Sequence, residues 1–211
     1  TYRAILRFMN RLAAYVEAHE SADPKMPLLA KALRSIAAGA PQNTYEALLL
    51  SLIYWKIQEN IEAQRARTLS GVDTLYRDFY RRDIQNGTFD AAQIKELFKF
   101  FMNHFSAMNV RYQQPMYFNS QDEEGNDQIT DFSWLIFNAY DEADIYDPKL
   151  QVRISPKTPD SFLRRVLEAI RGGNSSISII NDEVAFRTLR KCGATEEEAR
   201  TFLMSGCWDY T

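Results

Sequence analysis

The chain has 211 residues, 45% of them hydrophobic and 25% charged, with a formal net charge of -3; this suits one large globular domain or two small ones and offers no basic field for nucleic acid. No apolar run reaches the length of a membrane span, and the opening "TYRAILRFMN" lacks the uninterrupted apolar core of a signal peptide. Two cysteines, Cys192 and Cys207, cannot build a disulfide framework, so a reducing, cytoplasmic setting is expected.

Helical signals dominate the first two thirds. In "NTYEALLLSLIYWKIQENIEAQRARTL", Asn43 is placed to cap a helix, with Glu46 completing a capping box. Leu48, Leu49, Leu52, Ile53, Trp55 and Ile57 follow, which predicts that much of the first half of this helix is buried. "DTLYRDFYRRDIQNG" predicts a helix with Leu75, Phe79 and Ile84 in the core and a stop at Gly87. "DAAQIKELFKFFMNHF" begins another, with Asp90 as N-cap and Gln93 at the capping-box position. The acidic, turn-rich "SQDEEGNDQITD" reads as a surface loop.

The last third alternates. "LQVRISPKTP" predicts a short strand with Val152 and Ile154 on one face and Arg153 on the other, ended by Pro156. Thr158-Pro159-Asp160 predicts a helix start with Pro at the first helical position, and Gly172-Gly173 a stop. "SSISII" predicts a second strand, "TEEEARTFLM" a helix with a Thr195–Glu198 capping box, and the stretch into "SGC" a third strand. Strand–helix–strand–helix–strand order implies parallel α/β units beside a helix-rich N-terminal part. Because Thr1 falls within an amphipathic pattern and Thr211 closely follows Cys207, the 211 residues are expected to be a piece of something longer.

Cys207 is the residue whose context calls for explanation. A free cysteine is most often a buried structural thiol. Here "SGC" places small residues before it, fitting a tight turn after a strand, where α/β sites assemble. Asp209, two residues on, is placed to move a proton near the sulfur. The only histidines are His19 and His104, so nothing in the sequence supports a thiolate–imidazole dyad. One-electron chemistry at sulfur needs no such base. No metal site is expected, since no CxxC pair or ligand-spaced His occurs. Cys192 in "RKCGATEEE" reads as incidental, and "RGGNSS" as a helix stop and not a phosphate loop. Asn181–Glu183 follows a strand and could line a pocket, whereas "DEAD" at 141–144 reads as a solvated loop.

Four stretches in order resemble one family. "PQNTYEALLL" resembles its proline-then-"YEAL" helix start, and "SGVDTLYRDFYRRDI" its segment ending in Tyr-x-x-Asp. "VRISPKTPDSFLRRVLEAIRGGNSSISIINDEV" resembles its "HPKTP" strand, helix, glycine turn and "NDE", and "ARTFLMSGCWDY" its strand ending in Gly-Cys-x-Glu. The chain resembles the pyruvate formate-lyase-like glycyl radical enzymes, up to their catalytic cysteine.

The resemblance implies that residues 1–211 are part of one large domain, with 1–110 mainly helical and 111–211 forming strands of a ten-stranded β/α barrel that ends in the cysteine loop. It implies that Cys207 becomes a thiyl radical, with Asp209 at the acid/base position that many members fill with Glu. The intact protein would cleave a C–C, C–O or C–N bond in a small-molecule substrate, and Asn181 and Trp208 are placed as substrate contacts. It departs from the family at Ser155, where His is common, and at "EAQRARTLSG", where dehydratases have a Gly-Asn-Gly-His-Ser-like stretch. An anionic substrate held by Arg65 or Arg67 is therefore expected. A single Cys207 in place of Cys-Cys argues against pyruvate formate-lyase itself. By resemblance, no cofactor is bound by these residues. A glycyl radical would sit on a C-terminal segment not included here, installed by a radical S-adenosylmethionine (radical-SAM) activating enzyme, so this piece alone should be inactive. A homodimer is the family's common state. The alternative reading is a non-catalytic helical scaffold in which Cys207 is merely packed.

Overall fold

The computed structural model describes residues 2–19, 23, 25–61, 68–107, 115–118, 121–122, 124–200, 202, 204–205 and 209–210. Helices α1 (Tyr2–Ala18), α2 (Lys25–Ala38), α3 (Thr44–Asn60), α4 (Val72–Leu75), α5 (Arg77–Asn86) and α6 (Ala91–Ala107) precede the sheet. Then come β1 (Met116–Phe118), α7 (Asp131–Ala143), β2 (Leu150–Ile154), α8 (Asp160–Arg171), β3 (Ile177–Asn181), α9 (Asp182–Lys191) and α10 (Glu196–Arg200). The described part closes with β4 (Met204–Ser205) and β5 (Asp209–Tyr210).

Local signals explain several helix starts. Asn43 caps α3 by accepting from the Glu46 N–H. The expected box is not closed, because the Glu46 carboxylate accepts from the Gln42 N–H and the Ser35 hydroxyl instead. Asp90 and Gln93 form a reciprocal box at the start of α6, and Thr195 and Glu198 another at α10. At α8 the register differs by one residue. Pro159 is the N-cap, and the Thr158 hydroxyl accepts from the Ser155 N–H to close the preceding turn.

The segment read as one helix from Asp73 is two. Gly71 enters α4 at φ 62°, Tyr76 leaves helical geometry, and α5 restarts at Arg77. That break rotates the apolar stripe, so Leu75 and Ile84 are exposed while Val72, Tyr76 and Tyr80 are buried. Gly87 then ends α5 in the left-handed region, as expected. The Tyr-x-x-Asp stretch has a structural use. Asp83 accepts from the Thr44 N–H at the positive end of α3, and the Tyr80 hydroxyl donates to Asp131 at the start of α7. Burial and that bond push Tyr80 up to about 12, and burial does the same for Tyr76.

Strands β1, β2 and β3 form a parallel sheet in that order, with Met116, Leu150 and Ile177 in register. Helices α7 and α8 are the crossovers. Side-chain parity splits the sheet. Met116, Phe118, Leu150, Val152 and Ile177 join a large core with Trp55, Phe98, Phe101, Phe105, Phe132, Phe137 and Phe162. The other face carries Tyr117 and Ile180, which pack with Ala185 and Phe202. A separate core of Met9, Ala13, Leu33, Ile36 and Ile53 joins α1, α2 and α3, beside an apolar cavity of about 640 Å³.

Two further expectations change. Among the described residues the third predicted strand, β4, does not extend the parallel sheet; it pairs antiparallel with β5, a pairing that needs only a short connection. Asp141 of "DEAD" is not solvated loop but the last turn of α7, where it accepts from Arg165 at 2.6 Å and Asn174 at 3.1 Å.

Candidate active site

Parallel strands direct their C-terminal ends to one edge, and the loops beyond that edge collect there. In this chain the edge is built by the ends of β2 and β3, the start of α9, α10 and the loop from Gln121. Its centre is Arg153. Being odd in β2, Arg153 lies on the face opposite Val152, and with both faces covered it is only 5% exposed. A buried guanidinium needs a partner, and the next strand supplies one. Asn181, the last residue of β3, caps α9 through its side-chain oxygen, which accepts from the Val184 N–H. Asp182, the first helical residue, is thereby fixed beside Arg153.

The contact is a fork. Arg153 Nε donates to Asp182 Oδ1 at 2.8 Å and Nη2 to Oδ2 at 3.1 Å. The third nitrogen, Nη1, donates to the Phe202 carbonyl at 3.2 Å, and the guanidinium lies 4.0 Å from the Phe202 ring centroid. Phe202 is buried and stands two residues before β4. Thus one side chain links β2, α9 and the approach to the β4–β5 hairpin, whose strands flank residues 206–208.

Gln121, Arg153, Asp182, Glu183, Arg200 and Phe202 line a cavity of about 80 Å³ at this edge, together with Phe186 and Ala199. Arg200 binds Glu196 at 3.0 Å and lies over the Phe186 ring. The loop beyond β1 folds about Asp122, which accepts from the Asn126 N–H, the Asn126 amide and the Gln128 amide. The Asn126 bonds hold the Asp122 carboxyl below its usual range. Lys157 donates to the Gly125 carbonyl, tying this loop to the turn after β2. Gly125 has φ 77°, and a Cβ there would meet Arg200 Nη1 at 2.9 Å, so the loop backbone lies against the Arg200 guanidinium. Two cations, Arg153 and Arg200, face two carboxylates, Asp182 and Glu183. Among the described residues the cavity lining is charge-balanced and carries no surplus to hold an anion.

Gln151 is a further buried polar side chain on this face. It sits in register with Tyr117 and Ser178, and its Oε1 has no hydrogen-bond partner among the described residues. A buried carbonyl of this kind is an acceptor awaiting a donor.

Of the residues singled out by sequence, Cys207, Trp208, Arg65 and Arg67 lie outside the described residues. The backbone of Asp209 is in β5, opposite Ser205. Asn181 is at the edge, its Oδ1 engaged in the cap, which leaves its amide N–H groups for other contacts. The reading that Asn181–Glu183 lines a pocket holds for Asp182 and Glu183. Cys192 is exposed at the end of α9. His19 and His104 each bond a helix carbonyl, of Tyr15 and Phe100. Among the described residues no cluster of His, Cys, Asp or Glu could hold a metal, and no helix is long and apolar enough to cross a membrane. Sequence reasoning missed Arg153, Phe202 and Gln151. The available signal was a polar residue at each odd position of an otherwise apolar strand between two parallel neighbours.

Solved structures share this fold. A glycyl radical enzyme from Archaeoglobus fulgidus superposes with a TM-score of 0.85 at 21% identity, over 99% of this chain and 29% of that one. The glycerol-bound B12-independent glycerol dehydratase from Clostridium butyricum gives 0.83 at 24% identity, over 99% of this chain and 29% of that one. The fold is therefore a portion of the glycyl radical enzyme architecture, helix-rich first and then α/β.

A family model described as pyruvate formate lyase-like matches residues 1–211, and the chain belongs to that family. It is 26% identical over 215 residues to the trans-4-hydroxy-L-proline dehydratase of Clostridioides difficile, covering 93% of this chain and 27% of the dehydratase. To the isethionate sulfite-lyase of Nitratidesulfovibrio vulgaris it is 25% identical over 216 residues, covering 93% of this chain and 26% of the lyase. The chain spans about a quarter of the length of these curated relatives.

Proposed function

We propose that these residues are part of one larger domain of a glycyl radical enzyme, in which Cys207 carries the thiyl radical that cleaves a C–C, C–O or C–N bond of a small substrate. The observation that carries this reading is the anchoring of Phe202, five residues before Cys207, at the C-terminal edge of the parallel sheet. Family membership supports it from a second direction.

The chemistry divides among this chain's residues. A glycyl radical, when present, would supply the acceptor for the hydrogen atom of the Cys207 thiol, a C–H bond forming as the S–H bond breaks to leave a thiyl. Cys207 suits that partner because an S–H bond is weak and needs no neighbouring base to give up a hydrogen atom. The thiyl sulfur takes a hydrogen atom from a substrate C–H, re-forming S–H and leaving the unpaired electron on carbon. Asp209 takes or gives the proton at the adjacent heteroatom as the bond breaks. Trp208 and the Asn181 amide contact the substrate.

The two named relatives act on trans-4-hydroxy-L-proline and isethionate. Each of those compounds bears a carboxylate or sulfonate. The cavity at Arg153 is charge-balanced, so an anionic group would be met by Arg65 or Arg67 instead. A radical-SAM activating enzyme, a homodimer and a cytoplasmic setting complete the reading.

The test is turnover by the native full-length protein, kept anaerobic, with and without an activating enzyme, on trans-4-hydroxy-L-proline, isethionate and glycerol. Turnover of one of these only after activation, and its loss on exposure to air, is the expected result. Equal turnover by protein that has never met the activator would overturn the reading.

A further inference from the structure

The geometry points to Arg153 as a positioning residue that anchors Phe202 and, through it, the β4–β5 pair between whose strands Cys207 falls in sequence. This rests on the role proposed for Cys207 and goes beyond it. The buried fork to Asp182 is a fixed mount: α9 holds the carboxylate, and β2 holds the arginine stem. What the mount grips is a single residue, Phe202, and it does so twice, by its carbonyl and by its ring.

Both grips need a planar, five-donor cation. Lysine would keep the charge but could not fork to Asp182, reach the carbonyl and lie flat on the ring together. Phe202 is also packed with Tyr117, Ile180 and Ala185, so the residue is held by its side chain as well as by its carbonyl. The path from Phe202 to β4 is one residue, and β4 pairs with β5 at Met204–Tyr210 and Ser205–Asp209. A shift at Phe202 is therefore handed to the hairpin with little chain to absorb it. Hydrogen-atom transfer depends steeply on the approach of the reacting atoms, and a displacement of about 1 Å at such a centre costs roughly 100-fold in rate.

The experiment compares wild type, Arg153→Lys, the paired Arg153→Gln/Asp182→Asn and Cys207→Ala in the native full-length protein. The paired variant removes both charges and so leaves neither buried alone. Hydrogen–deuterium exchange of backbone amides is read before activation, and kcat and KM after it. We expect exchange in the peptide spanning 202–211 to rise about tenfold in both Arg153 variants, with peptides from β2 and β3 unchanged. We expect kcat to fall roughly 100-fold and KM to stay within about threefold. Unchanged exchange at 202–211, or unchanged kcat with the sheet intact, overturns the positioning role. So does uniform loss of protection across the sheet in both variants, which would make Arg153 a stability residue only. Full turnover by Cys207→Ala would instead sink the reading of Cys207, whatever Arg153 does, so the two failures are separable.

Discussion

Replacing Cys207 with alanine abolishes turnover in the activated native protein, by at least about 10⁴-fold, while the amount of backbone radical formed on activation stays at the wild-type level. The size follows from the role: a residue that forms and breaks bonds in every cycle has no substitute nearby, and such residues act as all-or-none members of a unit. Serine fails as well, because an O–H bond is much stronger than S–H and does not give up its hydrogen atom to a carbon radical. The scaffold alternative expects something different. A merely packed thiol would lose about 1–3 kcal/mol of stability on truncation and leave turnover, if any, untouched. Product formation at matched radical content separates the two.

Asp182→Ala destabilises the protein by about 3–5 kcal/mol, read from urea unfolding monitored at the sheet. Both partners of the Arg153–Asp182 pair are 6% exposed at the side chain, so removing the carboxylate leaves a guanidinium in a site that water barely reaches. The same substitution removes an anion from the first turn of α9, where the helix dipole favours one. Replacing both partners by apolar residues of similar size, Arg153→Met with Asp182→Leu, restores most of that stability, since a buried pair is often no better than a well-packed apolar one. Turnover does not return with it, because the grip on Phe202 is still gone. A double variant that recovers both would show that the pair only supports the fold.

How far the sequence could be read depended on the range of the interaction. Caps are local: Asp90 with Gln93, and Thr195 with Glu198, are legible three residues apart, and both form. Gly87 ends α5 for an equally local reason. Leu75 and Ile84 were misplaced because a single departure at Tyr76 changes the phase of everything around it, and nothing in "DTLYRDFYRRDI" marks that residue as a break. Strand β1 is three residues long, too short to show a period, and pairings distant in sequence, with Leu150–Val152 and with Leu69, define it. The 13 residues of α7 are apolar on much of their surface and follow a loop signal that continues into their cap at Thr130.

The site shows the same division. Cys207 stands out by its neighbours in sequence and by family resemblance. Arg153 does not, because its meaning comes from Asp182, 29 residues on, and from Phe202, 49 residues on. In isolation "QVRI" reads as a strand with a polar side. Only the second parallel neighbour and the covering residue Phe202 turn that side into an interior, and a charged residue there into an anchor.

The most direct measurement is the electron paramagnetic resonance spectrum of the native full-length protein, frozen anaerobically after incubation with a radical-SAM activating enzyme, S-adenosylmethionine and a reductant. The account predicts a signal of a carbon-centred radical split by one α-hydrogen, present equally in wild type and Cys207→Ala and destroyed by air. A protein that turns over its substrate with no such signal would contradict the assignment of Cys207 to radical chemistry.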